Sequence, residues 1–574
     1  MPTQSYPSTL GFLSQDLFRP RYEDIPRIEH VEYTYLRARE LCRHYALTMD
    51  DVLYYSPKFW HLNKDGMAVV DPIAQALISI QTNLVAGTIA TYAVKRPDLR
   101  PLFEKIVRFD VATSFMLNEI GHGNDASNLE TTATLRSDGG FTLQSPTPDS
   151  YKFMPPSMPV AGIPRVAVVF ARLMVDGEDR GVRPFIVSLG DGKKMCTGVT
   201  SYLIPPVACG RMMDHAITSF HGVSLPPNAM LGDLAKPDNF REAFLKAIGR
   251  IGAGTLALSL WVIPFLKSAT FIVGKYSMRR TVQLGLGGDR APIISFRTQH
   301  MPVLHALAQI SVLEAFADWA TTQFTNTQLD PRSRYGIAVI VKAVFVNHGQ
   351  DTLAGLIERS GAQGVFLHNQ MTVFEALTRI TTIAEGDIQV LSIRLATELL
   401  IGRYKLPSST KPLCLLAQHE AGIIAELEQT QNTDANFHRG EEYNARILRH
   451  CRSMVVAIGL RMAYEAAAEA GVDPDLLALY EAGAMRSDSS WYVENLGLKR
   501  ATQLEMERKA LDEVFPKLDK LLDQLDIEPY CSAPMLSQSR WEALIKENPI
   551  YRGNGQWDAL ADDTCKKAEK LARL

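Results

Sequence analysis

The chain has 574 residues, too many for one hydrophobic core, and its 46% apolar and 21% charged content is that of an ordinary soluble globular protein. Lys+Arg number 60 against Asp+Glu 63, a net charge of −3 that excludes nucleic acid as the expected partner. Seven scattered cysteines, with no Cys-x-x-Cys pair, argue for a reducing compartment and against structural zinc or a disulfide framework.

The first residues, MPTQSYPSTLGFLSQDLF, lack a basic start followed by an apolar run and do not read as a secretory signal. Residues 25–120 read as helical: Val31 to Cys42 interleaves apolar residues with Arg and Glu, and Asp71 to Tyr92 is almost continuously apolar. Near residue 121 the texture changes to short β runs, Thr131–Leu135, Val166–Phe170 and Phe185–Ser188, separated by turn clusters such as Ser137-Asp-Gly-Gly140. This β domain ends near Asp233. Long helices resume at Asp238 and run to Gly402. Among them Ile251 to Val273 is the longest apolar stretch, and its Gly, Ser, Thr, Pro264 and Lys267 fit a buried core helix better than a membrane span. Lys405-Leu-Pro-Ser-Ser-Thr-Lys-Pro412 is the clearest linker. A last helical block covers about 414 to 526, with a charged heptad-like stretch at Leu504–Leu525, and an irregular tail follows. Gly285-Leu-Gly-Gly288 lacks a preceding strand and reads as a loop, not a dinucleotide fingerprint. His215 and His221 flank a turn at non-ligand spacing, so no metal site is expected. The chain closes on Ala572-Arg573-Leu574, a small-basic-Leu variant of the peroxisomal address, which predicts a peroxisomal location and otherwise a cytoplasmic one.

One segment carries more chemistry than the rest. In Ala384-Glu385-Gly386-Asp387 an acidic side chain is followed by glycine, opening an apolar helix (Val390, Leu391, Ile393, Leu395, Ala396, Leu399, Leu400). Glycine permits a sharp backbone turn and Asp387 is a suitable N-cap. The pattern sets a carboxylate at a helix entrance over a buried cavity, the place for a general base.

Four motifs in order resemble the acyl-CoA oxidase branch of the acyl-CoA dehydrogenase superfamily, from about residue 30 to 405. The most specific is Asn118-Glu119-Ile-Gly121-His122-Gly123-Asn124 with Leu129-Glu130-Thr131-Thr132-Ala133-Thr134. The others are Tyr151-Lys152-Phe153-Met154-Pro155-Pro156-Ser157, then Lys275-Tyr276-Ser277-Met-Arg279-Arg280 with Pro292-Ile-Ile-Ser-Phe296-Arg297-Thr298-Gln299, and Ser360-Gly361-Ala362-Gln363-Gly364 with the Glu385 segment. The resemblance implies an α+β multidomain fold. Its parts are an N-terminal α-helical domain (1–117), a central β-barrel-like domain (118–235), an α-helical bundle with the catalytic glutamate (236–404) and an extra C-terminal α-helical domain (405–574).

It also implies FAD as cofactor, held by Asn118, Gly123, Phe153, Met154, Pro155, Ser157, Arg280, Gln299, Gly361, Ala362, Asp387 and Gln389. Arg280 falls on the arginine that meets the FAD pyrophosphate across a subunit interface, a role suited to a planar, bidentate fork. Asn124 and Gly386 fall on substrate-binding positions, and Glu385 on the base that removes the α-proton of an acyl-CoA or related thioester, with O₂ as electron acceptor and H₂O₂ as product. Desolvation is expected to raise the Glu385 pKa. Each FAD site in the family uses two chains, so a homodimer or higher homo-oligomer is expected. Departures from the pattern are Asn118 for threonine, Phe153 and Met154 for two tryptophans, Pro156-Ser157 for Gly-Gly, Arg297 and Gln363 for glutamine and histidine, and Ile388 for asparagine. These leave the substrate open. Two alternatives stand beside an oxidase: a repurposed relative acting on a carrier-bound or free small molecule in specialised biosynthesis, and a catalytically silent flavin-binding relative.

Overall fold

The computed structural model describes residues 8–19, 26–207, 213–285, 287–430, 440–555 and 572. Arg573 and Leu574 of the terminal tripeptide lie outside the described residues. By compactness the chain separates into residues 1–533 and residues 534–574.

Helix α1 (Arg27–Tyr45) opens the first unit, and α2 (Pro72–Ser79) and α3 (Gly87–Ala93) enclose a π-helical segment at Ile80–Ala86. The apolar run at 71–92 is therefore helical throughout, with a widened turn where its polar residues Gln81, Thr82 and Asn83 are buried. Gln81 supplies the reason: its amide donates to Ile106 O and Val111 O, and Thr113 donates to its oxygen.

The strands are β1 (Ala112–Met116), β2 (Thr132–Leu135), β3 (Phe141–Gln144), β4 (Lys152–Met154), β5 (Arg165–Val175), β6 (Glu178–Gly190), β7 (Val199–Leu203), β8 (Ala216–Phe220) and β9 (Val223–Leu225). β5 organises them. β1 and β2 both lie parallel along one side of it, in succession, and β6 pairs antiparallel with the other side. β3 and β9 extend the six-stranded sheet beyond β2, and β4, β8 and β7 form a second sheet. The Ser145 N–H donates to Phe220 O where the two approach, giving the curled, barrel-like layer that the sequence predicts. Alternation explains the core: Ala167, Val169, Ala171, Leu173 and Val175 of β5 share one face with Phe141, Leu143, Phe185 and Val187. On the opposite face Phe170 meets Phe115 edge-on at 4.8 Å.

The sheet starts at Ala112, before the change of texture read near residue 121. Every residue of β1 is buried, so its sequence carries no alternation to mark it as a strand. His215 and His221 flank strand β8, not a turn; Nε2 of His221 bonds with the Ser219 hydroxyl.

The helical layer follows. The apolar stretch at 251–273 is two helices, α4 (Arg250–Leu260) and α5 (Val262–Arg279), joined at Trp261. The stretches Pro72–Ala93 and Arg250–Arg279 are long and apolar enough to cross a membrane, yet 94% of each apolar window is buried inside the protein. A short hairpin, β10 (Thr281–Gln283) and β11 (Arg290–Pro292), interrupts the helices, and Gly285, Gly287 and Gly288 lie between its strands. Then come α6 (Arg297–Thr325), α7 (Pro331–Arg359), α8 (Met371–Ile383) and α9 (Ile388–Leu400). Helix α7 is the axis of this layer, packed against α4, α5, α6, α8 and α9.

The linker at 405–412 has no regular structure but is pinned: Arg461 donates to Pro407 O, and Glu465 accepts from the Ser409 hydroxyl and the Lys411 N–H. Beyond it stand α10 (Leu415–Thr430), α11 (Cys451–Glu469), α12 (Pro474–Met485) and α13 (Arg500–Val514). The heptad-like stretch is broken at Phe515–Lys517, where Pro516 has no N–H to continue the helix. The tail is more ordered than its composition implies. Tyr530 shares a hydrogen bond with Thr9, and in the second unit Gln538–Glu547 is a helix capped by Ser537, which accepts the Arg540 N–H.

One buried ion pair fastens the first motif to the sheets. Glu119 and Lys152 are fully buried and meet at 2.8 Å. Glu119 also accepts the N–H groups of Glu130 and Thr131 and the Thr131 hydroxyl, while Lys152 donates to Leu117 O and Phe170 O. Lys152→Met leaves the Glu119 charge buried and unpaired, and is expected to cost about 3–5 kcal/mol. A urea unfolding midpoint unchanged from the parent would refute that assignment.

Candidate active site

Helix α8 ends at Ile383 with Ala384 as its C-cap, and the chain enters a left-handed turn, with Glu385 at φ +53° and Gly386 at φ +104°. The second angle is glycine territory; the first costs a non-glycine residue about 1–2 kcal/mol. Asp387 then caps α9, accepting the N–H groups of Gln389 and Val390 at 2.9 and 3.1 Å. The strained residue is the candidate base. That coincidence of strain and a titratable group is a mark of functional sites.

The Glu385 carboxylate points into the protein against α4. A Cβ added to Gly254 would lie 1.1 Å from Glu385 Oε2, so the missing side chain at 254 is the space that the carboxylate occupies. Asn83 Nδ2, from the π-helical segment, donates to Arg250 O at 3.2 Å and reaches Glu385 Oε2 at 3.5 Å. Thr255 donates its hydroxyl to Glu385 O at 2.9 Å. Lys342, on α7, donates to Ala384 O and Gly386 O, each at 2.6 Å.

Two buried cations face the carboxylate. Arg250 donates to Asn83 O, Asn83 Oδ1 and Val52 O and lies over the Tyr55 ring at 4.4 Å. Neither Arg250 nor Lys342 forms a salt bridge with a carboxylate among the described residues. Burial outweighs their pull: desolvation pushes the Glu385 pKa up to about 8, against the opposing fields of Lys342 and Arg250. Desolvation also brings Lys342 down to about 8, opposed by Glu385 and Asp387. Some surface of the Glu385 residue stays accessible, while its carboxyl head is enclosed beside buried Gly254.

The other sequence-predicted residues fall into two further groups. The first surrounds β4: the Phe153 N–H donates to Asn118 O, Phe153 is 44% exposed, and Met154 and Pro155 follow it. Gly123 and Asn124, the latter at φ +59°, lie exposed on the adjoining turn. Ser157 faces inward, its N–H donating to Asp214 and its hydroxyl to Met154 O. The second group lies at the far end of α5. Arg280 ends that helix with an exposed side chain that has no partner among the described residues. Gln299 Nε2 is committed to Ser277 Oγ and Arg359 O, beside exposed Gly361 and Ala362. No hydrogen bond, ion pair or ring contact joins these two groups among the described residues. Gln389, on the first turn of α9, is exposed.

Asn83, Arg250, Gly254, Thr255 and Lys342 were not singled out by the sequence. Their signal was present as lone polar residues in apolar helices, as in Ile337-Ala-Val-Ile-Val-Lys342-Ala-Val-Phe-Val346.

No protein-family model matches the chain. Among curated proteins it is 24% identical over 314 residues to human peroxisomal acyl-coenzyme A oxidase 3, covering 51% of this chain and 43% of that one. It is 23% identical over 387 residues to acyl-coenzyme A oxidase 2, peroxisomal, of Arabidopsis thaliana, covering 61% and 53%. The chain spans about half the length of the curated relatives it matches. Among solved structures, acyl-CoA oxidase 1 of Yarrowia lipolytica superposes with a TM-score of 0.78 at 18% identity, over 98% of this chain and 92% of that one. In sequence the chain resembles these curated acyl-CoA oxidases only distantly, at 23–24% identity. Its fold is the multidomain α+β fold of the acyl-CoA oxidases. Acyl-CoA oxidase-2 of Caenorhabditis elegans, solved with FAD, ascaroside-CoA and ATP, superposes with a TM-score of 0.71 at 15% identity, over 97% of this chain and 99% of that one.

The fit between Gly254 and Glu385 is directly testable. Gly254→Ala is expected to fold and to carry the Glu385 carboxylate in a different rotamer, away from Asn83. A crystal structure of the variant with the carboxylate unmoved would refute the close contact.

Proposed function

We propose that the chain is an FAD-dependent, acyl-CoA oxidase-like enzyme that removes hydrogen from the α and β carbons of an acyl thioester. The observation that carries this reading is the pairing of a desolvated carboxylate with open backbone donors. Glu385 and Gly386 have N–H groups with no acceptor among the described residues, directly beside the Glu385 carboxyl. A thioester oxygen held by such donors gains stabilisation as the α-carbon loses its proton, because developing negative charge meets fixed dipoles in a site poor in water. Glu385 takes that α-proton. Its raised pKa brings the base close to the proton it must accept.

The residues present fit FAD. Arg280 offers a guanidinium without a partner among the described residues, Phe153 and Met154 an apolar wall, and a Cβ at Gly123 would meet nothing within 4 Å. FAD held there, with Asn118, Gln299, Gly361 and Ala362 as further contacts, supplies the acceptor for the β-hydride, with O₂ as the final oxidant. That Asn118 and Phe153 lie in one group and Arg280 and Gln299 in another favours a cofactor shared between two copies of this chain. The peroxisomal names of the curated relatives support a peroxisomal location. The segments 1–117, 118–235, 236–404 and 405–574 are proposed as the domains that divide this work.

Anaerobic rapid mixing of the purified yellow protein with medium- and long-chain acyl-CoAs tests the chemistry. Bleaching of the flavin band is expected, reversed by air with formation of peroxide, and abolished in Glu385→Gln. A yellow protein that no acyl-CoA bleaches would reject the acyl-CoA reading in favour of a specialised substrate. The pH dependence has a definite sign. A carboxyl with its pKa raised is protonated and idle below that value, so the bleaching rate is expected to climb as pH rises through about 8. A rate that falls over that window contradicts the assignment of Glu385. Light scattering is expected to give a dimer or larger assembly, and a monomer retaining FAD tightly would contradict the shared site.

A further inference from the structure

Three consecutive carbonyls, those of Ala384, Glu385 and Gly386, are each held by a donor from a neighbouring helix. Lys342 Nζ takes the first and third at 2.6 Å, and the single Thr255 hydroxyl proton is shared between the second and Ile251 O, each at 2.9 Å. Lys342 is fully buried in the middle of α7, among Val339, Ile340, Val341, Ala343 and Val344, all equally buried. An apolar side chain would sit there at far lower cost, since an ammonium taken from water must be repaid by its contacts. No salt bridge repays it among the described residues. Among the described residues its side-chain hydrogen bonds are the two to the Glu385 loop.

Planarity gives those bonds a consequence. In a trans peptide the carbonyl of one residue and the N–H of the next point in opposite directions within one rigid unit. Holding Ala384 O therefore fixes the direction of the Glu385 N–H, holding Glu385 O fixes that of Gly386, and holding Gly386 O fixes that of Asp387. Each of these N–H groups therefore points opposite to the carbonyl that is held. The same anchors keep Glu385 in its left-handed conformation, which the sequence does not favour at a non-glycine residue.

We propose that Lys342 is a positioning residue of this site: by clamping the carbonyls on both sides of Glu385, it aims the carboxylate and the open N–H groups at one bound thioester. The charged groups facing the clamp are Arg250 from α4 and Glu385 and Asp387 from the loop itself, with the Asn83 amide opposite. Even uncharged, an amine keeps two hydrogens, one for each carbonyl, so the clamp persists as pH rises. The chemical part of this proposal rests on the thioester reading above, and the geometric part does not.

Lys342→Met, which keeps length and apolar bulk, separates the two. Its crystal structure is expected to show the Ala384–Glu385 peptide plane rotated and Glu385 out of the positive-φ region. Anaerobic flavin reduction at saturating acyl-CoA is expected to slow about 100-fold, the scale for losing an aimed backbone donor, with a much smaller change in thioester Kd. Lys342→Gln, whose amide reaches one carbonyl, is expected to fall between the two, and it replaces Lys342→Met if that variant does not fold. A folded variant with the parent's loop geometry and reduction rate, whatever its thermal stability, overturns the proposal. If no thioester reduces the parent protein, the functional reading fails alone, and the crystal structure of the variant still decides the clamp.

Discussion

A carboxylate set against a buried helix, where desolvation disfavours its charge, is the constraint on which this structure turns. Burial of the Glu385 head beside Gly254 is costly for the charged form, and the protein answers with two buried cations, an amide and a loop whose carbonyls are all occupied. The result is balance, not neutralisation: Lys342 and Arg250 oppose the desolvation of Glu385 without cancelling it. A carboxyl held in this way can change protonation state near working pH, which an ordinary surface glutamate does not.

The rest of the fold keeps that balance in place. Helix α7 carries Lys342 and packs against α8 and α9, the helices on either side of the loop, so the clamp and its target belong to one packed unit. Helix α4 brings Arg250 and, one turn on, Gly254 on one face, with Thr255 next in the chain. The π-helical segment supplies Asn83, and the widened turn is of the kind that recurs at functional sites. In the β layer, Glu119 and Lys152 do for the glycine-rich turn what Lys342 does for the Glu385 loop. A buried carboxylate that accepts from Glu130, Thr131 and Lys152 fixes a loop that contains little regular structure.

Much of this was legible from residue types and spacing. Periodicity gave the helical and β segments, and the Glu-Gly-Asp stretch gave the loop, its cap and its carboxylate. The misses have physical causes. β1 is buried on both faces and shows no alternation, and the break at Pro516 sits inside a charged pattern that looks continuous as a string. The helix at 538–547 follows its cap, Ser537, inside a segment whose composition is that of a loop.

The sequence by itself determined where a base could stand, because a glycine and an N-cap in succession mark a turn through short-range hydrogen bonds, while the left-handed conformation of Glu385 is held from other helices. Only the tertiary structure decided that the carboxylate is enclosed, because enclosure depends on Gly254, Asn83, Arg250 and Lys342, residues far from Glu385 along the chain and on three other elements. Local interactions reach a few residues along the chain. Desolvation depends on everything packed around a group, and packing is settled only when the whole chain has folded.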